Sequence, residues 1–154
     1  QYDEESIPIV RTEKPEFALT YEGSTALIDE ARKRLSKRKE ATHLFGKEID
    51  HRFVGIVQAI YQGFGEKEVY ETIEEKAAHL LYFTIKDHPF VDGNKRIGSL
   101  LFLYFLEKNG FLKKKDGGRK IGDATMVTLA LLIANSKPKE KDTLIRIITN
   151  LLQG

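Results

Sequence analysis

Residues 88–110 read HPFVDGNKRIGSLLFLYFLEKNG, and this stretch decides how the rest of the chain is arranged. Its first nine residues bring together a histidine, an aspartate, an asparagine, a lysine and an arginine. Residues 97–106 are almost wholly apolar, and a helix that is apolar on every side is a buried one. The first turn of such a helix offers unpaired N–H groups and the positive end of the helix dipole to an anion. We therefore expect the function to lie in the polar loop at the start of this helix.

The flanking sequence predicts further helices packed around the central one. Their apolar residues recur at helical spacing, and several helix ends carry capping signals. Residues 63–71 between two of these helices predict a loop or a small β-hairpin. The sequence therefore predicts a mostly α-helical domain of six helices. The first predicted helix begins near Ser24 as N-cap, and the second spans residues 47–62 with Gly63 beyond its end. The third runs from Thr72 as N-cap to about Lys86, and the fourth covers residues 97–106. The fifth begins near Asp123, and the sixth spans residues 141–152.

Length and composition predict one domain preceded by an arm. Residues 1–22 contain Pro8 and Pro15 and show no helical period, so we interpret them as an N-terminal arm or linker. Residues 23–154 are then a single domain, as the length of 154 residues suggests. Because the chain begins with Gln1 and not with methionine, we expect it to be a fragment of a longer protein.

Composition also excludes several classes of function. The formal net charge is only +2, so the whole chain is no obvious polyanion binder. The absence of cysteine excludes disulfides and thiolate metal sites and fits a reducing compartment, so we expect a cytoplasmic protein. The longest apolar run, residues 100–106, is far shorter than the roughly 20 residues that span a bilayer. No membrane partner is expected.

Two side chains of the loop have the chemistry of a reacting centre. The unperturbed pKa of a histidine lies near 6.5, which makes His88 a candidate general base for a hydroxyl nucleophile. Asp92 supplies a hard oxygen ligand of the kind that Mg²⁺ shares with phosphates. His88 and Asp92 therefore predict proton transfer beside a metal-bound phosphate.

The four residues that follow predict phosphate binding. Gly93 lets the backbone approach a phosphate closely, and Asn94 with the next N–H groups can donate to its oxygens. Lys95 supplies a point charge, whereas Arg96 supplies a bidentate fork. Together with His88 these residues suit the transfer of a phosphorus group from a nucleotide. The competing interpretation is a surface loop with ordinary helix-capping residues.

The segment HPFVDGNKR resembles the signature H-x-F-x-[D/E/N]-[G/A]-N-[G/K]-R of the Fic/Doc family. The similarity extends over about residues 46–112 and implies the Fic fold, an all-α helical bundle around a buried central helix with a small β-hairpin flap. It implies that His88 takes the proton from a Ser, Thr or Tyr hydroxyl of a target protein. It also implies that Asp92 binds Mg²⁺, that residues 93–96 hold the phosphates of the co-substrate ATP, and that Phe90 anchors the loop in the core.

The resemblance further assigns the segment 63–71 to the flap that holds the target polypeptide by strand addition. The flap residues are Glu66, Lys67, Glu68, Val69 and Tyr70. Many members carry an inhibitory helix with the pattern [S/T]-x-x-x-E-[G/N], but the nearest copy, at Glu22-Gly23, has Ala18 in its Ser/Thr position. An inhibitor is therefore expected from a partner, such as the antitoxin of a toxin–antitoxin pair, or from a missing segment.

Two departures from the family pattern leave the transferred group open. The AMP-transferring branch has GNGRxxR, whereas this chain has Lys95 and Ser99 in place of the second glycine and the second arginine. NKR is the form of the Doc (death-on-curing) branch, for which the resemblance implies transfer of the γ-phosphate. The resemblance thus implies a transferase that is either an AMP-transferase (adenylyltransferase) or a Doc-like phosphotransferase.

A second function remains open beside the enzyme. The basic runs 32–39 and 113–120 fit a catalytically silent regulatory module that associates with nucleic acid on the same fold. Solvated helix and turn surfaces explain the same charges more simply. The complete set of polar residues from His88 to Arg96 favours the enzyme.

Overall fold

The computed structural model describes residues 15–154, and residues 1–14, most of the predicted arm, lie outside the described residues. The described part contains six α-helices and one two-stranded antiparallel sheet, which confirms the predicted all-α bundle with a small hairpin. Within it, no helix is long and apolar enough to cross a membrane. The elements are α1 (Tyr21–Lys37), α2 (Arg52–Ile60), β1 (Gly63–Phe64), β2 (Lys67–Glu68), α3 (Ile73–Lys86), α4 (Asn94–Lys108), α5 (Asp123–Ala134) and α6 (Lys141–Leu151), with a 3₁₀ turn at Pro138–Glu140.

The core is built around α3 and α4, which pack on each other. The two helices pack more extensively on each other than any other pair of elements. The side chains of Ile97, Leu101 and Phe105 are buried on the inner side of α4, whereas Leu100 and Leu103 are half-buried. Helix α3 is enclosed further, with 11 of its 14 residues buried, because α2, α5 and α6 also pack against it. The loop between α3 and α4 is therefore fixed at both ends to the best-packed helices.

The first helix begins earlier than the sequence predicts. Thr20 is the N-cap of α1, and its hydroxyl oxygen accepts a hydrogen bond from the N–H of Gly23 at 3.0 Å. The prediction that Ser24 is the N-cap is therefore wrong. Ser24 is buried inside the helix, where its hydroxyl donates to the Thr20 carbonyl at 2.7 Å. Both residues suit a cap, and packing of the first turn against the core selects Thr20.

The second helix is shorter than its apolar pattern predicts. It begins at Arg52 and not near residue 47, because residues 45–49 run alongside the loop before α4. Gly63, predicted to lie just beyond the end of the helix, opens β1. The residues that extended the pattern are half-buried by contact with another segment, so their periodicity does not reflect a helix.

The beginning of α3 agrees with the sequence. Thr72 is its N-cap, and the Thr72 hydroxyl accepts from the N–H of Glu75 at 3.1 Å. The same hydroxyl donates to the Glu75 carboxylate at 3.0 Å. The helix ends at Lys86, three residues before Pro89. Asp123 is the first residue of α5, whose N-cap is Gly122.

Candidate active site

The loop between α3 and α4 forms one wall of a cleft of about 330 Å³. Each polar residue that the sequence singles out in this loop contributes to the lining. Ile85 from the end of α3 and Ala134 from the end of α5 provide an apolar side. The structure thus brings the predicted base, metal ligand and phosphate-binding residues together. The lining residues of the loop are His88, Val91, Asp92, Gly93, Asn94, Lys95 and Arg96.

The start of α4 faces this cleft without a side-chain cap. Gly93 is the N-cap, and the first helical N–H with a backbone partner is that of Ile97, which donates to the Gly93 carbonyl at 2.8 Å. The N–H groups of residues 94–96 are thus left for an anion. Gly93 has a φ of +88°, and a Cβ there would lie 2.5 Å from the ring of Phe45. Glycine is therefore required at this position by packing and by backbone conformation.

Asn94 closes the loop on itself. Its side-chain Oδ1 accepts from the N–H of Phe90 at 3.0 Å, while Nδ2 donates to the Phe90 carbonyl at 2.9 Å. Both ends of the amide are thus used, and Asn94 is buried. The sequence predicts Asn94 as a phosphate donor. In this arrangement its backbone N–H remains available for that contact, while its side chain holds the loop.

His88 lies at a strained point of the backbone. Its φ is +47°, which is uncommon for a residue other than glycine, and it precedes Pro89, which disfavours helical conformations. The Arg52 guanidinium donates to the His88 carbonyl at 3.2 Å and supports this conformation. Strain that the surroundings maintain is often found at functional sites. The His88 side chain is exposed to the cleft.

The neighbouring amide restricts the state of the His88 ring. The Nδ1 atom of His88 lies 3.2 Å from Nδ2 of Asn94. The two contacts with Phe90 orient the Asn94 amide so that Nδ2 is the group that faces His88. Since Nδ2 can only donate, Nδ1 accepts, and a neutral ring then carries its hydrogen on Nε2.

A segment far away in sequence holds the outer side of the loop. The N–H of Gly46 donates to the Asp92 carbonyl at 3.0 Å, and that of Ile49 donates to the Pro89 carbonyl at 2.8 Å. Between them, the N–H of Val91 donates to the Lys47 carbonyl at 2.8 Å. Residues 45–49 therefore pair with residues 89–92 almost as a strand. Sequence reasoning missed this segment because its apolar residues extend the periodicity of α2.

An aromatic cluster fixes the centre of the loop from below. Phe90 is 2% exposed, and its ring centroid lies 5.2 Å from that of Phe53 in α2. The Phe53 ring in turn contacts Tyr21 at 6.0 Å. The Phe90 side chain is therefore buried in the core beneath the loop, where the family resemblance implies an anchor.

The two cations at the start of α4 take different positions. Lys95 is exposed and lines the cleft. The guanidinium of Arg96 lies over the ring of Phe45 at 4.9 Å and donates to the Glu40 carbonyl at 3.0 Å. Arg96 thus stands at the side of the cleft, with part of its donor set already used.

Among the described residues that line the cleft, Asp92 is the only carboxylate. Among residues 15–154, no three His, Asp or Glu side chains come together as a metal site. The Asp92 side chain is exposed at the cleft beside the start of α4. One carboxylate completed by phosphate oxygens and water is a usual environment of Mg²⁺. The residues present therefore fit a magnesium ion that arrives with a nucleotide, and not a separate metal centre.

The hairpin residues lie at the other end of α3 from His88. Tyr70 stacks on His79 with 3.7 Å between the ring centroids, and Lys76 contacts the carboxylate of Glu68 and the Tyr70 carbonyl. These contacts fix the hairpin to the first half of α3, a helix of 14 residues, which is about 20 Å long. None of the five predicted flap residues lines the cleft beside His88. The structure therefore does not bring flap and loop together.

Burial perturbs several titratable groups of the described residues, among them His79 on α3 and Asp87 directly after it. Burial lowers the pKa of His79 to about 4, although its hydrogen bond with the Glu75 carbonyl acts in the opposite direction. Desolvation raises the pKa of the Asp87 carboxyl, and the nearby cations Lys141 and Arg52 oppose this shift. His79 does not line the cleft, so its perturbation concerns stability.

The family model described as Fic/DOC family matches residues 23–106, more than half of the chain. The chain belongs to the Fic/DOC family. The match includes the loop, the pairing segment 45–49 and most of α4. Fic/DOC domains are generally transferases, which agrees with the chemistry of the residues in the cleft. Neither a curated protein nor a solved structure matches the chain.

Proposed function

We propose that this Fic/DOC domain is a transferase that moves AMP or phosphate from ATP to a hydroxyl group of a target protein. The observation that carries the proposal is the cleft that unites His88, Asp92 and the uncapped start of α4. A base, a metal ligand and an anion site within one cleft are the elements that phosphoryl-type transfer requires. Family membership supports the same class of reaction.

In this proposal the nucleotide phosphates bind at the first turn of α4. The N–H groups of residues 94–96 donate to the phosphate oxygens, and Lys95 balances their charge. Asp92 would hold Mg²⁺, which neutralises charge on the phosphates when it is bound. The target hydroxyl attacks phosphorus as its proton passes to His88, and the leaving group is pyrophosphate in AMP transfer or ADP in phosphate transfer.

The His88 ring has to change its hydrogen-bond partner to act as this base. If Nε2 takes the proton, the neutral ring must carry its other hydrogen on Nδ1. That hydrogen would face the Asn94 amide N–H, which lies 3.2 Å away. We therefore propose that the contact between His88 and Asn94 opens when the target hydroxyl enters the cleft. Catalytic hydrogen bonds commonly form their final geometry only in the substrate complex.

The transferred group is tested by the position of the label in ATP. The chain is incubated with cell lysate, Mg²⁺ and ATP labelled on either the α- or the γ-phosphate. Protein label from the α-phosphate identifies AMP transfer, and label from the γ-phosphate alone identifies phosphate transfer. Because Lys95 gives the NKR of the Doc form and Ser99 replaces the second arginine of the AMP-transferring form, we expect the γ-label, and chelation of Mg²⁺ should abolish it.

Matched histidine variants separate catalysis from a general loss of structure. His88→Ala should abolish the label, while His43→Ala should retain it, because His43 is exposed and does not line the cleft. The absence of His88-dependent label with either form of ATP would contradict the transferase proposal. The labelled proteins, separated by mass, would also reveal the target. We propose a cytoplasmic setting and an inhibitory partner, such as an antitoxin, that covers the cleft.

A catalytically silent module that binds nucleic acid is the second candidate. It is favoured by the exposed basic end of α1, where Lys33, Arg34, Lys37 and Arg38 form no ion pair with the described residues 15–154. Such binding is strongly weakened by salt because counterions are released. Retention on duplex DNA that falls steeply with salt, together with no labelling activity, would support this candidate.

A further inference from the structure

A second pocket adjoins the cleft on the far side of Arg96. It has a volume of about 280 Å³ and lies between the end of α1 and the start of α4. Arg96 lines both the pocket and the cleft, so the two spaces share one guanidinium. We call this space the arginine pocket. Its lining residues are Ala31, Arg34, Leu35, Arg38, Phe45, Arg96 and Leu100.

Arg34 in α1 and Arg38, the C-cap of α1, reach this pocket through their position on one face of the helix. Residues 31, 34, 35 and 38 recur at the spacing that places side chains on one face. Ala31 on that face is buried in the core. Arg34 and Arg38 therefore continue a buried stripe at the point where it emerges from the core. Lys33 and Lys37, in the same basic run, are exposed and do not line the pocket.

The charge in the arginine pocket is not balanced by the protein. No Asp or Glu side chain lines it, and Arg34 and Arg38 form no ion pair with the described part of the chain. Arg96 uses one N–H on the Glu40 carbonyl. Like charges that converge are unfavourable on their own, whereas guanidinium groups bind phosphate oxygens in a bidentate manner. The pocket is therefore complementary to an anion of several charges.

We propose that Arg34 and Arg38, together with Arg96, bind the phosphates of the nucleotide that follow the one held at the first turn of α4, whichever end of the triphosphate chain is transferred. The inference rests on the proposed function and extends it to a subsite. Sites for ligands of this size usually enclose ~300–1,000 Å³, and the cleft, at about 330 Å³, is at the lower limit. A triphosphate chain that leaves the cleft past Arg96 enters the arginine pocket.

Nucleotides of different phosphate number test this subsite on the full chain. The affinities for AMP, ADP and ATP are measured by titration calorimetry with Mg²⁺ for wild type, for Arg34→Gln/Arg38→Gln, and for the matched control Lys33→Gln/Lys37→Gln. The control removes the same charge from the same helix, outside the pocket. We expect the arginine variant to lose about tenfold in ATP affinity with little change for AMP, and the lysine variant to resemble wild type.

Several outcomes would overturn the inference. One is that the arginine variant loses the same affinity for AMP as for ATP, and another is that the lysine variant loses as much ATP affinity as the arginine variant. Either result would mean that the positive charge of α1 attracts the nucleotide in general and that the pocket does not bind it. If the arginine variant lost retention on duplex DNA but kept its ATP affinity, Arg34 and Arg38 would bind nucleic acid and not the nucleotide. Circular dichroism verifies that the variants fold.

Tripolyphosphate separates this inference from the proposed function. If its binding depends on Arg34 and Arg38 in a chain without labelling activity, the subsite stands and the transferase proposal fails. If ATP-dependent labelling is present but the arginine variant binds ATP as tightly as wild type does, the transferase proposal stands and the subsite fails.

Discussion

Replacement of Asn94 by alanine should destabilise the domain and inactivate the loop together. The side chain makes two hydrogen bonds, at 3.0 and 2.9 Å, to the backbone N–H and carbonyl of Phe90. Phe90 and Asn94 are both buried. Each net hydrogen bond is worth about 1 kcal/mol, and a buried polar group left without a partner costs about 1–3 kcal/mol.

The expected loss follows from these terms. The better helix propensity of alanine at the start of α4 offsets about 0.5 kcal/mol of this destabilisation. Water that enters from the cleft can hydrogen-bond the exposed Phe90 backbone groups and so reduces the destabilisation further. We therefore expect Asn94→Ala to lower the free energy of unfolding by about 2–4 kcal/mol. His88-dependent labelling should fall with it, because Asn94 also contacts the His88 ring at 3.2 Å.

Urea unfolding followed by circular dichroism measures the effect. The control is Asn135→Ala at the end of α5, where the exposed amide donates only to the Leu131 carbonyl at 2.9 Å. This control should stay within about 0.5 kcal/mol of wild type. If Asn94→Ala were no more destabilised than the control, the hydrogen bonds to Phe90 would not hold the loop, and the argument would be refuted.

Three further substitutions test the fold around the site. Gly93→Ala should cost about 2–4 kcal/mol in urea unfolding, because φ is +88° and the new Cβ would meet the Phe45 ring at 2.5 Å. His79→Phe should flatten the pH dependence of stability between about pH 6.5 and pH 4, where wild type loses up to about 3 kcal/mol. The folded-state pKa of about 4 means that the unfolded chain binds a proton first as the pH falls. Thr72→Ala should cost about 1 kcal/mol in the same unfolding assay through loss of the α3 cap.

Each of these three has its own control and contrary outcome. Phe45→Leu combined with Gly93→Ala should recover part of the loss, and strictly additive effects would argue against the predicted steric conflict. Equal pH slopes for wild type and His79→Phe would show that His79 is not buried in its neutral form. Thr72→Ser retains the capping hydroxyl, so its stability should stay close to that of wild type.

The sequence alone predicted those features whose hydrogen bonds join residues within one helical turn. The capping pair Thr72 and Glu75 is only three residues apart, so the sequence pattern alone predicts where α3 begins. The loop from His88 to Arg96 is likewise continuous, and its entry into α4 brings its polar residues to one cleft. The apolar stretch 97–106 predicts the inner helix, although α3 is enclosed still more completely.

The sequence was ambiguous where two interpretations have the same local pattern. Thr20 and Ser24 both suit an N-cap, and the packing of the first turn decides between them. Residues 47–49 continue the apolar period of α2, yet they pair with the loop instead. Periodicity records which residues are buried, and it does not record what buries them.

The sequence by itself determined the residue chemistry of the loop and the helical class of the fold, and it predicted an anion site at the start of α4. Only the tertiary structure decided that residues 45–49 hold the loop, that Phe45 requires a glycine at position 93, and that the hairpin lies at the far end of α3. It also brought Arg34 and Arg38 to Arg96. The physical reason is that residue chemistry and helical turns are local properties, whereas these contacts join segments that are distant along the chain and meet only when the helices pack.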